Sequence, residues 1–246
     1  MNELQTSGTM NQRPLNWILL QLPEAAYAAL QRHFTQVDLQ VGTTLAEPEK
    51  PAEYVYFPLS GFVSLSVLSE SGDSVEVATV GHESMINVGP LMDQPIGPHL
   101  ATVRGEGSAL RIRSAVMREE VRRDPALLHA VHQAAYLKMV QMGQNVVCNR
   151  IHSVEQRLAR WLLTASDRMQ SNSLRLTQEY LSQMLGARRS TVTIAAGDLQ
   201  RAGLMEYTRG KIRIKDRAEL EKAACECYHT LRTTTEQFRP AALKKA

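Results

Sequence analysis

The chain has 246 residues, 43% of them apolar and 22% charged, the composition of an ordinary globular protein with room for about two domains. No run approaches the roughly eighteen apolar residues of a membrane helix, and the first ten residues lack the basic head and apolar stretch of a secretion signal, so a cytoplasmic protein with no membrane partner is expected. The net charge of +3 hides a division, with ten Lys/Arg against fifteen Asp/Glu in residues 1–149, thirteen against six in 150–217 and five against four in the tail, and such a basic second half suits a nucleic-acid partner.

In chain order, Trp17, Ile18, Leu19 and Leu22 make a short amphipathic opening, followed by Pro23 and a second apolar stretch at 25–33. Alternating or β-branched runs at 37–41, 53–57, 62–68, 74–80 and 100–112, each bounded by glycine or proline, predict short strands of a small sandwich or barrel-like roll. Ser71-Gly72-Asp73 reads as a hairpin turn between two of them. Asp124 and Pro125 then supply an N-cap and a first-turn proline for a long helix. Along it Leu128, Val131, Ala135, Met139, Met142 and Val146 recur at steps of three and four, a narrow seam that suits a second copy of the chain or packing on the chain's own β domain. Gly143, Asn145 and Asn149 weaken the end of this helix, where a flexing point would separate the two halves.

Residues 174–215 spell out a helix-turn-helix with a wing. Thr177-Gln178-Glu179 opens a helix whose Leu181, Met184 and Leu185 share one face, and Gly186 stands where the helix stops in a left-handed residue. A second helix follows at once, apolar at Val192, Ala195 or Ala196, and Leu199, with Arg188 and Arg189 at its N-terminal end. That end enters the major groove in helix-turn-helix proteins, so Arg188, Arg189, Ser190 and Thr193 are the expected base readers. Residues 205–207 and 211–214 can pair across Thr208-Arg209-Gly210 as a hairpin. Thr177, Gln178, Arg209 and Lys211 are expected to contact phosphates, with Arg213 adding charge to the wing. The partners implied are double-stranded DNA, a second copy of the chain on a palindromic operator, and RNA polymerase.

The remaining chemistry is sparse. Cys148 stands alone, and Cys225 and Cys227 flank Glu226 in what reads as a helix, where side chains two apart diverge by about 200° and cannot hold one ion. Buried, idle thiols are expected, with no metal and no cofactor. His82, Glu83 and His99 are the nearest approach to a metal set on the strands, and a haem would have to use His82, His99, His129 or His132. No nucleophile turn, phosphate-cradling glycine loop or paired-carboxylate motif is present, so no catalytic residue is named and the chain is not read as an enzyme.

The order of roll, long helix and winged reader resembles the Crp/Fnr family of bacterial transcription regulators over nearly the whole chain. The most specific pieces are Tyr56-Phe57-Pro58-Leu59-Ser60-Gly61-Phe62-Val63-Ser64, Val75-Glu76-Val77-Ala78-Thr79-Val80-Gly81-His82-Glu83, and 151–163 with Arg157-Leu158-Ala159 at its centre. The resemblance implies an α+β chain: a double-stranded β-roll sensor of the cyclic-nucleotide-binding type at 1–123, a dimerisation helix at 124–150, a winged helix-turn-helix at 151–237 and a tail at 238–246. It also implies a ligand pocket, here degenerate. The family's glycine-glutamate and arginine-serine pairs correspond to Ile86-Asn87 and His99-Leu100, and its small hydroxyl residues on the dimer helix to Met142-Gly143. A cyclic phosphate would lack its guanidinium, so cyclic AMP is not the expected signal, and the sensor's ligand is unknown. In the reader, Arg189 matches the family's guanine-contacting arginine, while Ser190 and Ile194 replace its glutamate and second arginine, which implies a different operator. A signalling or protein-interaction module that keeps the fold without DNA binding is the rival reading, and a haem- or metal-dependent sensor another.

Overall fold

The computed structural model describes residues 13–70 and 72–244, so Ser71 of the expected 71–73 turn lies outside the described residues. Two short helices, α1 (Trp17–Gln21) and α2 (Glu24–Gln31), precede a roll of seven strands: β1 (Thr35–Leu39), β2 (Thr44–Ala46), β3 (Tyr54–Pro58), β4 (Phe62–Leu68), β5 (Ser74–Val80), β6 (His99–Gly105) and β7 (Gly107–Arg113). Five helices and three strands follow: α3 (Ser114–Arg123), α4 (Pro125–Ile151), α5 (Val154–Met169), β8 (Ser173–Arg175), α6 (Gln178–Leu185), α7 (Arg189–Arg201), β9 (Met205–Thr208) and β10 (Lys211–Ile214). Helices α8 (Arg217–Ala223) and α9 (Cys227–Gln237) close the fold.

The roll is two antiparallel sheets, ordered β1-β7-β3 and β2-β6-β4-β5. Alternate side chains meet between them as a core of Leu39, Tyr56, Val63, Leu65, Ala78, Val80, Ile86, Ala101, Val103 and Ala109. The run read as one strand at 100–112 is two, broken at Glu106, while β2 and α3 carry patterns too short or too charged to stand out. A second core joins α1 and α2 to the outer face of β3 and to the first half of α4, through Ile18, Leu30, Phe57, Met117, Leu127 and Val131.

Helix α4 starts as its sequence requires: Asp124 accepts from the Ala126 amide at 2.8 Å, and Pro125 occupies the first turn. It runs unbroken through Gly143, beside which there is open space. The expected seam divides in two. Val131 is fully buried in its own chain's core, and Met142 packs against the roll, so neither faces outward; their helical phase lies just off the exposed stripe. Leu128, Met139 and Val146 do stand exposed, Met139 at 70% and Val146 at 71%, with Ala135 half-buried between them.

The inward face of α4 is polar where it crosses β5. Lys138 donates to the Met85 carbonyl at 2.7 Å, Gln141 to Thr79 Oγ1 at 3.1 Å and Asn145 to the Val77 carbonyl at 2.8 Å. The last contact follows from a bulge: β4 pairs Leu65 with Ala78 and Ser66 with Glu76, leaving Val77 outside the ladder with its carbonyl available.

The reader has its own core of Leu158, Trp161, Leu162, Leu174, Leu181, Leu185, Val192, Leu199, Ile212 and Leu220, with Phe62 of the roll included. Two carboxylates of the roll complete the docking. Glu76, buried, accepts from Trp161 Nε1 at 2.7 Å and from the Tyr180 hydroxyl at 2.8 Å, and Glu83 pairs with Arg168 at 2.9 Å.

Candidate functional site

Helix α6 begins at Thr177, whose hydroxyl oxygen accepts from the Tyr180 amide at 3.1 Å, and ends at Gly186 with φ 55°. A left-handed residue is needed there because the chain must leave the helix and start another within three residues. Helix α7 then lays Val192, Ala195, Ala196 and Leu199 on the core, which turns Arg188, Arg189, Ser190, Thr193 and Ile194 to the exterior. Arg188 stands at the N-cap in extended conformation and Arg189 opens the helix, so both guanidiniums project from the end that a groove admits. The Thr193 hydroxyl donates to the Arg189 carbonyl at 2.8 Å, which leaves its oxygen as an acceptor only.

The wing is three strands, ordered β8-β10-β9. Thr208 pairs with Lys211, so the turn is Arg209-Gly210, with φ of 48° and 77°, one residue tighter than the sequence pattern indicates. Strand β8 adds to the other edge of β10 and places Arg175 beside Lys211. Among the described residues, Arg188, Arg189, Arg209 and Lys211 form no ion pair, whereas their neighbours Arg201 and Lys215 are held by Asp198 and Glu206. Four cations without anionic partners on one helix end and one hairpin tip make this surface positively charged, the chemistry that phosphates and base edges can meet. Exposed Ile194, 63% accessible on the same helix, offers an apolar contact of the kind that reads a thymine methyl.

The second site is a cavity of about 410 Å³ at the mouth of the roll, lined among others by Glu47, Asn87, His99, Lys138 and Met142. Three of the expected pocket residues, Asn87, His99 and Met142, therefore come together. Leu100 does not line it, because side chains alternate along β6 and His99 and Ala101 take the inner face. Asn87, at φ 65°, donates to the Tyr54 carbonyl at 2.8 Å and so braces the backbone. Burial, with the charge of Lys138 nearby, pushes the His99 imidazole below its ordinary value, so His99 is neutral at pH 7. The wall carries two cations, exposed Lys50, paired with Glu47, and buried Lys138, which the sequence reading missed. Its helical phase, on the face of Leu127, Ala134 and Asn145, carried the signal.

The other histidines and acids do not assemble on the strands. His82 stacks edge-on against Trp17, Glu83 is taken by Arg168, and His129 and His132 are exposed on α4. The three thiols are buried as expected, but the helix expected across 225–227 is not there. Chain direction breaks between α8 and α9, so 225–227 is not one helix: Cys225 lies in the connector, Cys227 opens α9, and both are buried with Cys148.

A nucleotide-binding-type roll joined by a long helix to a winged helix-turn-helix defines a two-part transcription regulator. Residues 36–124 match the family described as cyclic nucleotide-binding domain, and residues 156–223 match the Crp-like helix-turn-helix domain. The chain is 24% identical over 207 residues to a protein of Mycobacterium tuberculosis named CRP-like cAMP-activated global transcriptional regulator, covering 81% of this chain and 92% of the relative. It is also 24% identical over 189 residues to the global nitrogen regulator of Synechocystis, covering 73% and 84%. A solved transcriptional regulator of the crp/fnr family from Eubacterium rectale superposes with a TM-score of 0.67 at 18% identity, over 82% of this chain and 94% of that one, which shows the same fold. The chain belongs to the Crp/Fnr family of transcription regulators and carries that family's DNA-binding domain. Among the described residues no helix is long and apolar enough to cross a membrane.

Proposed function

We propose that the chain acts as a homodimer that reads a palindromic operator with α7 and grips the flanking phosphates with the wing, under a sensor roll that does not answer to cyclic AMP. The observation that carries this reading is the set of unpaired cations at the start of α7 and at the wing tip. Arg189 addresses a guanine, Arg188, Ser190 and Thr193 the neighbouring positions, and Ile194 a thymine methyl. Thr177, Gln178, Arg209 and Lys211 hold the backbone. The exposed stripe of Leu128, Ala135, Met139 and Val146 pairs with its copy, which would set two α7 helices about one DNA turn apart. In this reading 1–123 senses, 124–150 dimerises and 151–237 reads, and the protein's effect on transcription is exerted on RNA polymerase. The pocket argues against cyclic AMP because both cations of its wall are already engaged, Lys50 by Glu47 at 2.6 Å and buried Lys138 by the Met85 carbonyl.

Selection of binding sites from random duplex DNA tests the proposal. An enriched palindrome is expected, with affinity that falls steeply as salt rises, because each neutralised phosphate releases counterions. No enrichment would favour the interaction-module alternative. A rise in melting temperature with added cyclic AMP, or tighter operator binding, would overturn the ligand part of the reading alone.

A further inference from the structure

Far from both sites, the end of α4 meets the start of α9. We propose that Cys148, His152, Cys225 and Cys227 form a tetrahedral site for a single zinc-class divalent ion, tying the reader's last helix to the junction of α4 and α5. The four donor atoms lie within 4.8 Å of one another, and the three cysteines are buried. Cys148 Sγ stands 3.6 Å from Cys225 Sγ, and Cys227 Sγ 3.5 Å from His152 Nδ1. Zinc–sulfur bonds of about 2.3 Å and zinc–nitrogen bonds of about 2.0 Å at tetrahedral angles require edges of about 3.8 Å between sulfurs and about 3.5 Å between sulfur and nitrogen. These two edges already match, and the longest has at most about 1.3 Å to close.

The surroundings are those of a ligand set as well. His152 turns its other ring nitrogen, Nε2, to Glu226 at 3.1 Å, the carboxylate–histidine arrangement that fixes a metal-bound imidazole in one tautomer. Gln144 donates Nε2–H to Cys227 Sγ at 3.0 Å, as amides do to metal-bound thiolates. Three thiolates and a neutral histidine around a dication carry net −1, and two buried guanidiniums, Arg157 and Arg160, lie within electrostatic reach of Cys148. Donors packed this closely enclose one ion and have no room for the bridging sulfides of an iron–sulfur cluster. Three buried sulfurs and one half-buried imidazole nitrogen select a soft-tolerant tetrahedral ion over magnesium or calcium.

Because the ligands come from α4, its C-terminal cap, the α8–α9 connector and α9, the ion would stiffen the hinge between sensor and reader without touching DNA or the roll's cavity. The experiment uses the full chain, purified under reducing conditions without chelator. Elemental analysis should return about one zinc per chain. After stripping with a strong chelator, cobalt(II) should bind at one equivalent, with the intense visible bands and sulfur-to-metal charge transfer of a tetrahedral thiolate site. Both signals should be lost in Cys148→Ser and Cys227→Ser. Should those variants not fold, Glu226→Gln, at an exposed side chain, serves instead, with an expected loss of about 10–100-fold in cobalt affinity. Failure of the stripped wild type to bind cobalt(II) or zinc would overturn the proposal, as would full metal content in the serine variants. Recovery of the metal-free chain with a Cys148–Cys225 disulfide under these conditions would overturn it in favour of a redox pair. Undiminished affinity in Glu226→Gln would overturn the metal-orienting role given to the His152–Glu226 contact. DNA selection reports separately on the reader, so the two readings fail independently.

Discussion

Lys138 is the most expensive residue of α4, and its replacement has a predictable sign. Burial between the roll and the helix pushes its ammonium down to about 8, the partial compensation coming from Glu83. A fall from about 10.4 in the unfolded chain to about 8 corresponds to roughly 3 kcal/mol of unfavourable free energy for keeping the charge at neutral pH. Lys138→Met keeps the stem's packing and removes that cost, but leaves the Met85 carbonyl without its donor, a loss of about 1–2 kcal/mol. The variant should therefore be more stable by about 1–2 kcal/mol at pH 7. The linkage sets the window. Because the folded value is depressed, neutral lysine favours the fold above about pH 10.4, and that contribution is lost as pH falls through about 8. Urea denaturation of both proteins at fixed concentration, from pH 7 to 10.5, should show the gap narrowing and then reversing. A variant less stable than wild type at pH 7, or a gap independent of pH, would refute the reasoning.

Three further outcomes are expected. Arg189→Ala should cost about 1–3 kcal/mol of discrimination at one base position, whereas Lys211→Ala should weaken binding to all sequences alike and flatten the salt dependence; competition binding on operator variants separates the two, and equal sequence-blind losses would mean that α7 is not the reading helix. Met139→Asp, at an open position of the α4 stripe, should shift the chain toward monomer in analytical ultracentrifugation, and an unchanged dimer would remove α4 from the interface. Gly61→Ala should lower stability by at least about 2 kcal/mol, because φ is +76° there and a methyl group would sit 2.4 Å from the Gly105 carbonyl oxygen; a calorimetric scan that matched wild type would show that the β6–β7 connection can yield.

What the sequence made legible was what periodicity and turn chemistry encode. The helix-turn-helix was readable because Gly186 can only end a helix in that setting and Val192, Ala195 and Leu199 repeat at helical steps. The roll was readable from strands whose inner faces alternate, yet β2, three residues long with no fully buried side chain, carries no alternation to find. The α4 seam was half right because 3.6-residue periodicity identifies apolar rows without saying which covers the chain's own core, and Val131 and Met139 differ only by phase. Lys138 and the cysteine cluster were missed for a shared reason. Each depends on residues distant in sequence, Met85 for the lysine and Cys148 with Cys225 for the cluster, and a helix assumed across 225–227 hid the break that lets both thiols converge.

Two glutamates of one strand and its following turn show how the same side chain takes opposite parts at the roll–reader junction. Glu76 is pushed up by burial, against the donors Trp161 and Tyr180 and the charge of Arg160, so its contribution is present at low pH and is lost as pH rises through its raised value. Burial pushes Glu83 up too, but Arg168, His82 and the Gly81 amide outweigh it and leave the carboxyl below the ordinary range. Its contribution is present above the unfolded value and is lost as pH falls through the depressed one. Docking is therefore best supported electrostatically between the two, with Glu76 protonated and Glu83 ionised. The difference traces to one partner: Arg168 reaches Glu83 directly at 2.9 Å, whereas Glu76 is met by an indole and a phenol, which donate hydrogen bonds but no charge. Arg104 lies instead over the Tyr180 ring at 4.3 Å, where it eases the phenol rather than pairing with the acid behind it. The junction is thus held by one ion pair and one hydrogen-bond network whose donors carry no charge, and salt, which screens charges, acts chiefly on the first.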